Sequence, residues 1–231
     1  MSLADRTRTR GTPGWRPIAR GGPLRDRVRS ELEQLIIYGV LAPGEHLREE
    51  TLAERLQVSR QPVREALQML ARSHFVELRS GRGAFVHEPT RREVDEVFHL
   101  RTLLEAESAR LAAQRMDAET LRAMAGICAD GFAALDRDDK RELVGLNRLF
   151  HQLVTDTAGS QVLAETLAGL QVRIDWYLAS IILDRAPASW RQHQDVYEAM
   201  AASDPDRAAA LMAEHVDHTR RLLDETYGPA E

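Results

Sequence analysis

Apolar residues recur every three or four positions through most of this 231-residue chain, and the interruptions mark its joints. In residues 24–38, LRDRVRSELEQLIIY, Leu24, Val28, Leu32, Leu35 and Ile36 fall on one helical stripe. Gly39 is placed to end that helix, and APGE forces a turn after it. A short second helix over Glu49–Leu56 directs Leu52, Ala53 and Leu56 inward. Ser59 is the expected N-cap of a third helix from Arg60 to about Ser73, with Val63, Ala66, Leu67 and Leu70 as its apolar side. Pro62 is tolerated because it lies in the first turn, where N–H groups have no intrahelical acceptor. The period then drops to two. FVELRSGRGAFVHE alternates apolar and polar residues around SGRG, which predicts two strands and a glycine turn.

From Glu93 onward no strand signal remains. Helical stripes cover about 91–115, 118–136, 139–157, 160–184, 188–202 and 205–226, separated by MDAET, DRDDK, AGSQ, RAPAS and SDPDR. Asp204 and Pro205 open the last of these as cap and first-turn proline. The predicted fold class is mainly α: a winged helix-turn-helix of three helices and a β-hairpin wing, then an all-α antiparallel bundle of six to seven helices. The expected domains are a disordered basic tail over 1–22, a DNA-binding domain over 23–89 and a helical domain over 90–227.

Charge divides the chain in the same place. Residues 1–93 hold 17 arginines against 12 acidic residues, whereas the remainder holds 14 basic and 24 acidic residues. Only the first part is therefore expected to meet a polyanion. A single cysteine, Cys128, rules out an intrachain disulfide framework and fits a reducing cytoplasm. No apolar run approaches a membrane span, and the basic N-terminal residues lack the apolar core of a secretion signal.

The chemistry of the first domain is concentrated at the start of its third helix. Arg60 and Arg64 lie one turn apart with Gln61 beside them, and arginine can pair bidentately with guanine as glutamine can with adenine. The Ser59 hydroxyl and the helix N-terminus suit phosphate oxygens. In the hairpin, Gly81 and Gly83 permit close backbone approach, and Arg82 at the tip could enter a minor groove. The alternative for each arginine is a solvated residue paired with Glu65 or a similar neighbour.

In the helical domain His151, His193 and His215 fall on three different helices, each near apolar residues. Converging imidazoles would suit Zn²⁺ or Ni²⁺ with open positions for a ligand, although histidines scattered over some sixty residues are more often surface or hydrogen-bonded core residues than ligands.

The stretch LAPGEHLREETLAERLQVSRQPVREALQML…GRGAFV resembles the N-terminal domain of GntR-type bacterial regulators over residues 24–88. The resemblance implies a dimer on a pseudo-palindromic operator in double-stranded DNA. It assigns Arg60 and Arg64 to bases or phosphates, Ser59, Gln61 and Arg48 to supporting contacts, and Gly81 and Arg82 to the wing. Glu50 stands where some relatives carry a DNA-contacting arginine, so that contact is expected to be missing.

Residues 91–226 resemble the FCD effector domain of the FadR subfamily, in its metal-binding branch. That branch carries Asp-x-x-x-His on one helix and single histidines on two later ones, which His151, His193 and His215 match in order. Asn147 stands in place of the aspartate, so a retained but weakened site is expected, with a metal-free anion site as the competing outcome. By the same resemblance Arg101 would pair with an effector carboxylate, its alternative being a surface arginine beside Glu105. Arg173 and Tyr177 would line the cavity or serve in packing. The expected function is a cytoplasmic, homodimeric transcriptional regulator, a repressor answering to a small organic acid. The alternative is a metal-dependent hydrolase or isomerase using the histidines, although no carboxylate near them follows a general-base motif.

Overall fold

The computed structural model describes Trp15 and residues 22–227, apart from the side chains of residues 224–226. The tail expected over residues 1–22 lies outside the described residues except for Trp15 and Gly22. The chain divides into two compact units between Pro89 and Thr90.

The first unit holds α1 (Leu24–Ile37), β1 (His46–Leu47), α2 (Glu49–Leu56), α3 (Arg60–Arg72), β2 (Val76–Arg79) and β3 (Gly83–Val86). Helix α1 ends as glycine chemistry dictates. Gly39 takes φ +72 and donates to the Ile36 carbonyl, while Val40 donates to Leu35, which closes the helix with a reversed turn. Val28, Leu32, Leu35 and Ile36 are buried as the stripe requires, but Leu24, in the first turn, stays 36% exposed. They pack with Leu52 and Leu56 of α2, Val63, Ala66, Leu67 and Leu70 of α3, and Phe75, Val76 and Val86 from the sheet side, forming one small core.

Two local expectations are corrected here. Ser59 occupies the N-cap position of α3, but its side chain makes no capping hydrogen bond. A capping oxygen accepts from the second or third helical N–H, and the third helical residue is Pro62, which has none, so only the Gln61 N–H is on offer. The wing, secondly, is a three-stranded antiparallel sheet in the order β1-β3-β2, with His46 opposite Phe85 and Arg79 opposite Gly83. Strand β1 has only two residues, too few to show an alternation.

The second unit contains six helices among the described residues: α4 (Arg91–Ala113), α5 (Ala118–Asp136), α6 (Lys140–Thr157), α7 (Gln161–Ala179), α8 (Ile182–Ala201) and α9 (Pro205–Tyr227). Their starts are written in the sequence. Thr90 and Glu93 form a reciprocal capping box, and Asp117, Asp139, Ser160 and Asp204 each accept a first-turn N–H. Helix α4 is central, packing on α9, α6, α7 and α8.

The joint between α7 and α8 departs from expectation. The break falls at Ser180–Ile181, and α8 runs straight through Pro187. Pro187 lies little more than one turn inside the helix, so its missing N–H deprives only the Leu183 carbonyl of a partner. Burial of Ile182, Ala186 and Trp190 stabilises the continuous helix against that loss. Trp190 packs where Gly131 of α5 leaves room, since a Cβ there would lie 2.3 Å from the indole.

One buried charge ties α6 to α7. Asp175 is wholly buried and accepts from Arg148 and, at 2.9 Å, from the Gln171 amide. Burial pushes its carboxyl up while Arg148 opposes the shift. Arg148→Met should destabilise the protein by about 2 kcal/mol, less than for a fully buried pair because the Arg148 side chain is 42% exposed. Adding Asp175→Asn should restore most of the loss in urea unfolding; a double variant as unstable as the single would show that the charge is not the cause.

Candidate DNA interface and histidine centre

The exposed side of α3 opposes its buried Val63–Leu70 stripe and presents Arg60, Gln61 and Arg64. Both arginines are held by the acidic first turn of α2. Arg60 donates to Glu50, and Arg64 donates through Nε and Nη2 to Glu49 at 2.8 to 3.1 Å. Gln61, rather than either arginine, pairs with Glu65, at 2.8 Å. These exposed ion pairs are worth about 1 kcal/mol or less, so a phosphate or guanine edge can replace the carboxylates. Arg48, at the N-cap position of α2, is exposed nearby in sequence and makes no side-chain cap.

At the wing, Ser80, Gly81 and Arg82 connect the Arg79–Gly83 pair, and Arg82 is exposed. Gly81 needs its freedom for φ +69 and has open space around it. Gly83 has a second reason to lack a side chain: a Cβ would lie 2.9 Å from Nε2 of His46, whose ring stacks on Phe85 at 4.6 Å.

The three histidines converge. His151 of α6, His193 of α8 and His215 of α9 are all buried, and a ligand nitrogen from each lies within 4.8 Å of the others. The His193 Nε2 is 3.3 Å from Nε2 of His151 and 3.2 Å from Nε2 of His215. Phe150 stacks on His193 at 4.1 Å and Trp190 meets it edge-on at 4.7 Å, which fixes that ring.

Two guanidinium groups border the trio. Arg101 of α4 is 1% exposed, which overturns its reading as a surface residue. It donates to Glu105 Oε1 and to His151 Nε2, each at 2.9 Å. Glu105 Oε2 lies 2.9 Å from His151 Nδ1 but out of line for a hydrogen bond, so that contact is electrostatic. Arg185 of α8, also 1% exposed, donates to Thr219 Oγ1 at 3.0 Å, His215 Nδ1 at 3.2 Å, the His215 carbonyl at 3.1 Å and the Gln192 side chain.

These donors dictate the tautomers. An arginine can only donate, so His151 Nε2 and His215 Nδ1 must accept. His215 then carries its proton on Nε2 and gives it to His193 Nε2, so the single Nε2 lone pairs of His193 and His151, 3.3 Å apart, accept from His215 and Arg101. A cation held by all three rings would replace those two hydrogen bonds and take the place of the His215 Nε2 proton.

The protonation states agree. Burial, followed by the neighbouring charges, drives His193 and His215 well below the usual histidine range. Burial also lowers His151, with Glu105 opposing. Burial pushes Glu105 up, but Arg101 and His151 outweigh it and hold the carboxyl at about 2. Burial lowers Arg185 to about 10, which leaves it charged at neutral pH. Five buried side-chain polar atoms without a hydrogen-bond partner among the described residues belong to this centre: Glu105 Oε2, Asn147 Nδ2, His151 Nδ1, Arg185 Nη1 and His193 Nδ1. Folded proteins rarely concentrate such atoms without a use for them.

Asn147 is 3% exposed and one turn before His151 on α6. Arg173 is half-buried, and Tyr177 is buried with Trp176 and Tyr227 as ring neighbours, each at 6.0 Å, an environment of aromatic packing. Arg185 was not among the expected residues, because reading RAPAS as a break removes it from the helix. Its signal was the spacing Arg185, Ser189, His193, one residue per turn on one face.

Residues 24–86 match the family described as bacterial regulatory proteins, gntR family, and residues 96–218, more than half of the chain, match the FCD domain. The chain belongs to the GntR family and carries an FCD domain. The transcriptional repressor RspR of Escherichia coli K12 is 28% identical over 84% of this chain and 86% of its own length. The regulator McbR of the same organism is 26% identical over 87% of this chain and 93% of its own. The solved structure of E. coli McbR/YncC has the same fold, with a TM-score of 0.76 over 90% of this chain and all of that one. As a GntR-family regulator the protein binds DNA through its winged helix-turn-helix, and its relatives are regulators rather than enzymes. Among the described residues no helix is long and apolar enough to cross a membrane.

Proposed function

We propose that this GntR-family regulator is a cytoplasmic, homodimeric repressor whose FCD domain binds a divalent metal and a small carboxylate at the histidine centre. The observation carrying this reading is the convergence of three buried imidazoles, with His193 Nε2 3.2 to 3.3 Å from the Nε2 atoms of the other two. The donor set fits an ion such as Zn²⁺ or Ni²⁺. His151, His193 and His215 would hold it, with the Asn147 amide oxygen as a neutral fourth donor. When bound, the metal supplies a Lewis acid that attracts a carboxylate oxygen.

This chain's own residues supply the rest. Arg101, Arg185 and Glu105 already sum to one positive charge in a buried space, and a dication makes it three. An anionic effector therefore belongs to the completed site. Arg101, now bonded to the nitrogen His151 would use as a ligand, would turn its guanidinium to that anion. The effector acts on DNA binding only through a difference in affinity between two arrangements of the protein. Arg60, Gln61 and Arg64 would read bases, and Arg48, Ser59 and the wing residues Gly81, Arg82 and Gly83 would meet the backbone or minor groove, with steep salt dependence. The repressor assignment follows the repressor names among the relatives.

Asn147→Asp tests the ligand set. Restoring a carboxylate should tighten Zn²⁺ binding by about tenfold or more in calorimetric titration, because it adds a stronger, charged donor. A looser site would remove Asn147 from the set.

A further inference from the structure

Arg185 presents a charge that the site as described leaves unmatched. It is buried to 1% exposure, yet every group it touches is neutral: the Thr219 hydroxyl, the Gln192 side-chain oxygen, and the ring and carbonyl of His215. Among the described residues no carboxylate lies within ion-pair distance of it, and its Nη1 has no partner at all. The contrast with Arg101 is direct, since that guanidinium is matched by Glu105 at 2.9 Å. A buried, unmatched guanidinium costs several kcal/mol, and neutral acceptors orient it without cancelling its charge.

The two arginines also occupy different places. Contacts run from Arg101 to His151, on to His193, then His215 and finally Arg185. The three imidazoles form a triangle with centroids 4.5 to 5.2 Å apart, and the guanidiniums border it at different members, Arg101 at His151 and Arg185 at His215. Helix α8 aims Arg185 at this cluster because residues 185, 189 and 193 share a face. If Arg185 served only to fasten α8 to α9, a neutral donor would do so without the burial of charge.

We propose that Arg185 is a second anion-binding group, and that the effector is a two-ended dianion, a short dicarboxylate with one carboxylate toward Arg101 and the histidines and the other on Arg185. The assignment rests on reading the histidine centre as the effector site. It makes Arg185 the residue that separates diacids from monoacids: a monoacid leaves the buried guanidinium unmatched, whereas a diacid satisfies it.

The test uses the full chain, zinc-loaded and metal-free, titrated calorimetrically with malonate, succinate and glutarate, with their monomethyl esters, and with inorganic phosphate. At least one diacid should bind about tenfold or more tighter than its own monoester. Arg185→Gln should reduce that ratio to near one by weakening the diacid more than the monoester. Arg185→Lys should retain part of the preference, and covers the case in which the glutamine variant fails to fold. A wild-type protein indifferent to the second charge, or an Arg185→Gln protein that keeps the preference, would overturn the proposal. Phosphate binding as tightly as the best diacid would overturn the two-ended part. A diacid and its monoester bound equally well by the wild-type protein would leave the effector site standing and overturn the role of Arg185. Binding of no acid at all would overturn the effector reading itself.

Discussion

His193→Ala should leave the purified protein with less than about a tenth of the wild-type zinc or nickel content, a loss of a hundredfold or more in affinity. His193 is the middle member of the trio, within 3.3 Å of both other Nε2 atoms, and it is the ring most firmly held, between Phe150 and Trp190. Removing it takes away one of three strong donors in a set whose fourth member is only an amide. The cavity left under Trp190 will lower stability as well, so the metal measurement needs a companion. His193→Gln fills most of the space without supplying imidazole, and it should fold better than the alanine variant yet bind metal no better. Full occupancy in either protein would exclude His193 as a ligand.

The second large effect is expected at the other end of the chain. Arg60→Ala should weaken binding to an operator selected from random-sequence duplexes by about 10- to 100-fold and relax the base preference at one position in each half-site. Arg60 lies in the first turn of α3, on the side opposite the buried Val63, Ala66, Leu67 and Leu70, and is bonded only to the exposed Glu50. Its removal also leaves Glu50 unpaired and facing the phosphates. The Arg60→Ala, Glu50→Gln double variant separates these contributions: lost base contact persists in it, whereas mere carboxylate repulsion would be relieved. Unchanged affinity in both variants would move recognition away from Arg60.

How much of this was legible in the sequence depends on the range of the interaction. The helices of the second unit other than α8 were legible because each begins with a short-range signal, such as Asp117, Asp139, Ser160 or Asp204, and continues with a stripe that burial then follows. The convergence of the histidines was suggested by a family pattern, since nothing local requires helices α6, α8 and α9 to meet. Pro187 misled because the rule against interior prolines is local, while the burial that overrides it comes from α5 and α9. That one error hid Arg185, whose buried guanidinium borders the histidines. The pairs of Arg60 with Glu50 and Arg64 with Glu49 were similarly out of reach, because they span 10 and 15 residues and depend on how α2 and α3 start side by side. Ser59 stands at the N-cap position as expected, but Pro62 removes one of the two N–H groups its hydroxyl could have used.

The central claim is that metal and anion complete one site together. Three positive charges cannot accumulate stably in a buried space already holding Arg101 and Arg185, so each partner should strengthen the other by the same factor. The direct measurement is the affinity of the metal-free protein for Zn²⁺, with and without a saturating short dicarboxylate, corrected for zinc bound by the free acid. The account predicts zinc binding at least about tenfold tighter with the acid present, and an equal gain in acid affinity when zinc is present. Zinc and acid binding that ignore one another, or exclude one another, would contradict it.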